Sequence, residues 1–260
     1  MLRLSNRRLF PGMAKLRNLI ARAFGKVSRM IEPPRRSIDI TDEYIKWLCF
    51  ANAGMLDRGN LYLMDYALSR IKSDSPLVEI GSFCGLSANA LSYYKRKHGL
   101  KNQLITCDRW DFEMDEHGDR DHVAGSPVLH SDYKRFVRDS YLGSTGLFSA
   151  EDLPFTVEAT SDDFFKQWQR EADVLDVRGR TLHLGGPISF CYIDGNHSYE
   201  YAKRDFLNCH AFLERGGFIL FDDSTIQEFG VYRLMSEIVT SREYRLVATN
   251  PNHLFQKAGG

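Results

Sequence analysis

At 260 residues, with 34 Lys plus Arg balanced against 34 Asp plus Glu, the chain is long enough for one substantial core and has no net field to draw it to nucleic acid. No apolar run approaches the ~20 residues of a membrane span, and the first residues lack the apolar core of a secretory signal. Five cysteines, Cys49, Cys84, Cys107, Cys191 and Cys209, are odd in number and lack metal-ligand spacing, so reduced, buried thiols and a cytoplasmic protein are expected.

Charge is uneven along the chain. Residues 1–31 hold eight Arg or Lys and no acid, and residues 16–31 (LRNLIARAFGKVSRMI) are amphipathic. This is either a basic arm folded over its own domain or a helix in peripheral contact with a membrane surface. The EPPRR segment at 32–36 reads as a linker, because two prolines stop any helix. The expected division is therefore 1–36 for arm and linker, and 37–260 for the folded domain. Thr41 or Asp42 can cap a first helix with Tyr44, Trp47 and Leu48 on its buried face. A second helix is predicted around residues 61–71, and Asp57 and Arg58 before it suggest no chemistry.

Leu77, Val78 and Ile80 form an apolar run without helical period, followed by a turn containing Gly81, Ser82, Phe83 and Gly85. Helix-forming residues resume at Leu86. This predicts a buried strand, a tight turn and a helix whose free N–H groups point back at the strand end. Glu79 sits at that strand end, and a buried carboxylate is costly unless something pairs with it. Such turns also serve dinucleotides and flavins. The segment EIGSFCGLS, Glu79 to Ser87, resembles the cofactor loop of class I methyltransferases that use S-adenosylmethionine, in the form found in small metal-dependent O-methyltransferases. The resemblance implies that Glu79, Gly81, Ser82, Phe83, Gly85 and Ser87 contact the cofactor. An ammonium and a sulfonium suit an acidic turn better than a dinucleotide does.

Residues 103–107 (QLITC) form a second strand closed by Asp108, which lies 27 residues after Gly81. An acid there is placed to accept both ribose hydroxyls; its bland role is to cap the next turn. From 109 to 150 the pattern becomes a polar insert with His117, His122 and His130, whose spacing argues for solvated loop histidines over zinc ligands. The helix HSDYKRFVRDSYL within it is a candidate lid. FTVEA (155–159) is the third strand. Ser161 or Asp162 at its end is either a partner for the adenine amine or an N-cap of the following helix. Residues 173–186 read as a polar loop.

ISFCYI (188–193) is the fourth strand and ends in Asp194; FILF (218–221) is the fifth and ends in Asp222 and Asp223. Neighbouring strands lie about 4.8 Å apart and end on one edge, so three carboxylates converge. Like charges that close need a cation, and an all-oxygen set points to Mg²⁺ or Mn²⁺. Adjacent strand residues face opposite ways, so Asp222 and Asp223 can both reach one ion only if the chain has left the strand. His197, three residues after Asp194, belongs to the residue class that titrates near neutral pH and can take a hydroxyl proton.

The segments DGNHSYEYAKRDF and LERGGFILFDDS resemble the macrocin-type sugar O-methyltransferases, and their layout is similar to the catechol and caffeoyl-CoA enzymes. That resemblance implies metal binding by Asp194, Asp222 and Asp223 and a general base at His197. Where the catechol enzymes carry a lysine this chain has His197, which favours the sugar branch. A helix at 229–240 and strands at 244–249 and 253–256 around an NPN turn complete the chain with a hairpin.

The expected fold is a seven-stranded α/β Rossmann-like methyltransferase sheet, parallel with an antiparallel C-terminal hairpin and helices on both faces. The expected activity is O-methyl transfer from S-adenosylmethionine to a small-molecule or sugar hydroxyl, with Asp194 and His197 catalytic. The alternatives are a metal-independent methyltransferase and a non-catalytic cofactor-binding module. A homo-oligomer is compatible with the sequence, and no nucleic-acid partner is expected.

Overall fold

Apolar runs closed by turns become the central strands of one sheet, where they are buried on both faces. The computed structural model describes residues 42–111, 122–123 and 126–259; the basic arm, the linker and His117 lie outside them. In chain order the first elements are α1 (Glu43–Ala51), α2 (Arg58–Leu68), β1 (Leu77–Ile80), α3 (Leu86–Lys97), β2 (Leu104–Cys107), α4 (His130–Phe148), β3 (Phe155–Val157) and α5 (Ser161–Gln169). There follow β4 (Asp173–Leu175), β5 (Thr181–His183), β6 (Ile188–Ile193), α6 (Tyr199–Phe212), β7 (Leu213–Phe221), α7 (Gly230–Thr240), β8 (Tyr244–Thr249) and β9 (His253–Lys257). The main sheet has seven strands in the order β3-β2-β1-β6-β7-β9-β8. Pairing is parallel from β3 to β7 and antiparallel for β7–β9 and β9–β8, as the sequence predicts.

Strand residues alternate between two cores. Val78, Ile80, Cys191, Ile193, Ile219, Phe221 and Phe255 face α5, α6 and α7, where Phe164, Trp168, Cys209 and Leu234 are buried. Leu77, Leu104, Phe190, Tyr192, Phe218, Leu220 and Leu254 face α1, α2 and α3. Helices cover each face, so the central strands β1, β2 and β6 are buried along their whole length, while β8 at the edge has Arg245 exposed. Among the described residues no helix is long and apolar enough to cross a membrane.

Several local expectations change. Asp42 is the cap of α1, accepting from Tyr44 N at 3.1 Å and Ile45 N at 3.3 Å. The buried face of α1 is Ile45 and Leu48, while Trp47 is 51% exposed. Asp57, left without a role by the sequence, caps α2 through Gly59 N at 2.7 Å. Residues 173–186 form the β4–β5 hairpin and not a loop. The helix expected as a lid is α4; Val137, Tyr141 and Thr145 bury it against α3, so only its N-terminal turn is available to cover the cleft.

The start of α2 presses on the turn between β8 and β9. A Cβ on Gly59 would lie 1.6 Å from the carbonyl oxygen of Asn250, a backbone atom that cannot step aside. Gly59→Ala should therefore destabilise the fold by about 2 kcal/mol or more, seen as a lowered melting midpoint; an unchanged midpoint would mean that α2 is not seated on that turn.

Candidate active site

The parallel strands end in register, and each first residue beyond a strand still makes a ladder bond: Gly81 N to Cys107 O, Asp108 N to Val157 O, Asp194 N to Ile80 O and Asp222 N to Ile193 O. This alignment brings Gly81, Asp108, Asp194 and Asp222 to one edge. A cleft of about 710 Å³ opens there, lined among others by Ser82, Phe83, Ser87, Ser161, Asp162 and His197. That volume suits a small-molecule site.

Gly81 is the tightest point of the turn. Its φ is +82°, and a Cβ would meet the Asp194 carbonyl oxygen at 1.9 Å, so only glycine lets β1 and β6 end this close. Phe83 is also left-handed at φ +44°, and Gly85, at φ +89°, leads into α3 without a side-chain cap. The turn is held from outside by Asp108. Its Oδ2 accepts from Ser82 N at 2.7 Å and Phe83 N at 2.9 Å, and its Oδ1 from Trp110 N at 2.7 Å. Three of its acceptor sites are thus committed to backbone, so Asp108 braces the turn and has only its outer lone pairs left for a ribose. Burial raises its pKa, and these backbone N–H groups oppose the rise.

Glu79 lies in a polar row across the sheet, between Thr106 and Tyr192 in register. It is fully buried, and neither carboxylate oxygen has a hydrogen-bond partner. Burial pushes its pKa up to about 8, with the Ser87 and Ser82 hydroxyls opposing the shift and the Asp108 charge adding to it.

The three strand-end acids do not form a single cluster. Asp194 and Asp222 are in side-chain contact; burial raises both pKa values, with the Asp222 charge helping to carry Asp194 well above the ordinary range, while at Asp222 the contact with Asp194 opposes the rise and the Asp223 charge adds to it. Their other hydrogen bonds come from neutral groups: Tyr192 Oη donates to Asp194 at 3.0 Å, and the amides of Asn60 and Asn252 donate to Asp222. Asp223 has left the strand at φ +46° and turns to His197, with Oδ2 3.5 Å from Nε2. Phe229 stacks on the other side of that imidazole, with centroids 5.1 Å apart. Among the described residues no group of three or more His, Cys, Asp or Glu is arranged to hold a metal ion. Two paired carboxylates remain, which fits an ion that keeps several ligands from water or substrate, as Mg²⁺ does. His130 reaches the cleft wall as part of that lining.

The cap of α5 is Thr160, one residue earlier than expected, accepting from Asp163 N at 3.1 Å. The Ser161 hydroxyl donates to Asp205, and Asp162 accepts from Asn208 at 3.0 Å beside Arg204 at 3.4 Å. Both therefore line the cleft with side chains already engaged. Asp205, which the sequence reading passed over, is buried on α6 with its pKa raised to about 6, mainly by burial. Tyr192 was also missed, although its i, i+2 relation to Asp194 in an extended segment is visible in the sequence. Asn60 and Asn252 give no local signal.

The folded chain keeps a proton on Glu79 that the unfolded chain releases near its ordinary value of 4.5. Stability should therefore fall as pH rises from about 4.5 toward about 8. Glu79→Gln cannot ionise, so its stability relative to the native chain should grow across that window by on the order of a few kcal/mol. Urea titrations of the cofactor-free protein at several pH values measure it; parallel pH curves for the two proteins would refute the assignment.

Residues 78–224, more than half of the chain, match the family described as methyltransferase domain. A search of curated proteins finds no match. Among solved structures the chain is similar to apo CalS11, a TDP-rhamnose 3'-O-methyltransferase of calicheamicin biosynthesis, with TM-score 0.51 and 14% identity over 98% of this chain and 97% of that one. It is similar to the O-methyltransferase NovP, with TM-score 0.52 and 16% identity over 81% and 84% of the two chains. The SAH-bound Podospora anserina methyltransferase PaMTH1 gives TM-score 0.52 and 14% identity over 98% and 100%. These likenesses concern the fold. With the family match running from β1 through the end of β7 and taking in the cleft-forming turns, the chain belongs to the methyltransferase-domain family.

Proposed function

We propose that the protein transfers a methyl group from S-adenosylmethionine to a hydroxyl of a small molecule or sugar, assisted by Mg²⁺ or Mn²⁺ at Asp194 and Asp222. The observation that carries this is the single cleft joining the Gly81–Gly85 turn to the paired carboxylates and His197. Glu79, buried beneath the turn without a cationic partner, holds a proton in the cofactor-free protein that a cationic cofactor would displace, which suits such a ligand and disfavours a phosphate. Gly81, Ser82, Phe83, Gly85 and Ser87 would hold the amino-acid end, with Asp108 bracing them and lending its outer lone pairs to the ribose. Ser161 and Asp162, at the first turn of α5, would meet the adenine through backbone N–H groups, since their side chains are engaged.

When bound, the cofactor supplies an electrophilic methyl on its sulfonium, and a divalent cation supplies charge that lowers the pKa of an acceptor hydroxyl. His197 takes the hydroxyl proton through the ring nitrogen that does not face Asp223. Asp223, 3.5 Å from Nε2, stabilises the imidazolium formed, and Phe229 stacks on the ring. Arg109, Asp111, Asn196 and Arg204 give the rest of the cleft hydrogen-bonding groups for a polyhydroxylated acceptor. The relation of Asp223 to His197 also supports a second reading, a metal-independent enzyme in which this pair alone removes the proton.

Transfer of labelled methyl from S-adenosylmethionine to a panel of nucleotide-linked sugars, free sugars and phenols tests the activity. EDTA should abolish it and Mg²⁺ or Mn²⁺ restore it; full activity in chelator selects the metal-independent reading. His197→Ala should lower turnover by ~10² or more and Asp223→Asn by about tenfold, each with SAH affinity nearly intact. Undiminished turnover in His197→Ala would remove the base from the scheme. Separately, Asp108→Ala should weaken SAH binding by about 2 kcal/mol, because the turn loses two charge-assisted bonds. Calorimetry showing equal affinity would exclude Asp108 from cofactor binding.

A further inference from the structure

The Asp222 carboxylate is 4% exposed, and two side-chain amides point at the same oxygen, Oδ1. One comes from Asn60 on α2; the other, at 2.9 Å, comes from Asn252 in the turn before β9. Both amides are themselves buried, at 0% and 1% exposure. Asn252 also donates to Asn60 Oδ1 at 3.0 Å, and its own Oδ1 accepts from Ser224 N at 3.0 Å. Asn60 reaches Tyr192 Oη at 3.2 Å, and that hydroxyl donates to Asp194 at 3.0 Å. Asn60 and Asn252 thus have their amide hydrogens committed, and the chain of bonds runs from one carboxylate of the pair to the other.

The chemical character of these donors matters. A lysine or arginine at either place would cancel the charge of Asp222 and remove any reason for a cation to enter. An amide fixes the carboxylate plane and satisfies one oxygen while leaving the negative charge in place. Tyr192 does the same for Asp194. Asn60 and Asn252 both lie outside residues 78–224, so the matched family segment does not include them.

We propose that Asn60 and Asn252 are positioning residues for a divalent cation, holding Asp222 Oδ1 so that the rest of the carboxylate is presented together with Asp194. This rests on the cation reading given above. The test is calorimetric titration of Mn²⁺ into the full chain, with the electron paramagnetic resonance signal of bound Mn²⁺ as a second readout and SAH affinity as the control. The native chain should bind Mn²⁺, and Asp222→Asn should lose it. Asn60→Leu and Asn252→Leu, which keep similar volume but cannot donate, should each weaken Mn²⁺ binding about tenfold or more, with SAH affinity within twofold of native and an altered Mn²⁺ spectrum. Residues that merely fill space would tolerate leucine, so Mn²⁺ affinity within threefold of native in both variants would overturn the proposal while leaving the cation reading intact. If the native chain itself fails to bind Mn²⁺, the cation reading falls and this proposal with it. Should a leucine variant not fold, Asn60→Ser and Asn252→Ser replace it under the same threefold criterion.

Discussion

The contact of Gly81 with the Asp194 carbonyl is the constraint on which the site depends. It sets the distance between the turn after β1 and the acid after β6 at backbone contact, which no side-chain rearrangement can alter. Everything else at the edge is placed relative to that contact. Asp108 ties the turn to β2, the β6–β7 ladder sets Asp222 beside Asp194, and the left-handed Asp223 turns back toward His197. A shift of one element would therefore disturb the Gly81–Gly85 turn and the His197 end of the cleft together.

Charge in the cleft is strongly asymmetric although the chain as a whole is balanced. Asp108, Asp111, Asp162, Asp194, Asp205, Asp222 and Asp223 line it, against Arg109 and Arg204, with Glu79 beneath. Burial raises the proton affinity of several of these acids, so the cofactor-free protein stores protons that a cationic ligand would displace. A cleft lined in this way suits positive charge better than phosphate, unlike phosphate-binding turns of similar backbone shape.

Much of this was legible in the sequence, for reasons that can be stated residue by residue. Apolar runs stopped by Gly81 or by an acid gave β1, β2, β6 and β7 and hence the edge carrying Asp108, Asp194 and Asp222. Side-chain orientation was not legible. Spacing put Asp108 at the right strand end, but could not show that its oxygens turn toward Ser82, Phe83 and Trp110. The face of α1 was misjudged because Trp47 is the most apolar-looking choice, while the helix phase is set by Ile45 and Leu48 packing on the sheet. The β4–β5 strands are three residues each and offer too few alternations to read. Asn60 and Asn252 are invisible to any local pattern, since they meet Asp222 from 162 and 30 residues away.

The position of β9 in the sheet bears on the order in which the molecule can be assembled. It lies between β7 and β8, antiparallel to both, with Leu254 and Phe255 fully buried. During synthesis β8 appears before the strand that joins it to the sheet, and Asp222 appears 30 residues before Asn252. A chain ending short of residue 252 contains the residues of the turn, the parallel strands and the paired acids, but lacks the partner of β7 and one of the two amides that meet Asp222. Exposed strand edges of that kind are the ones that attract wrong partners. Closure of the sheet at β7 and completion of the carboxylate's surroundings thus depend on the same short stretch, Asn252 to Phe255, at the end of the chain's folded part.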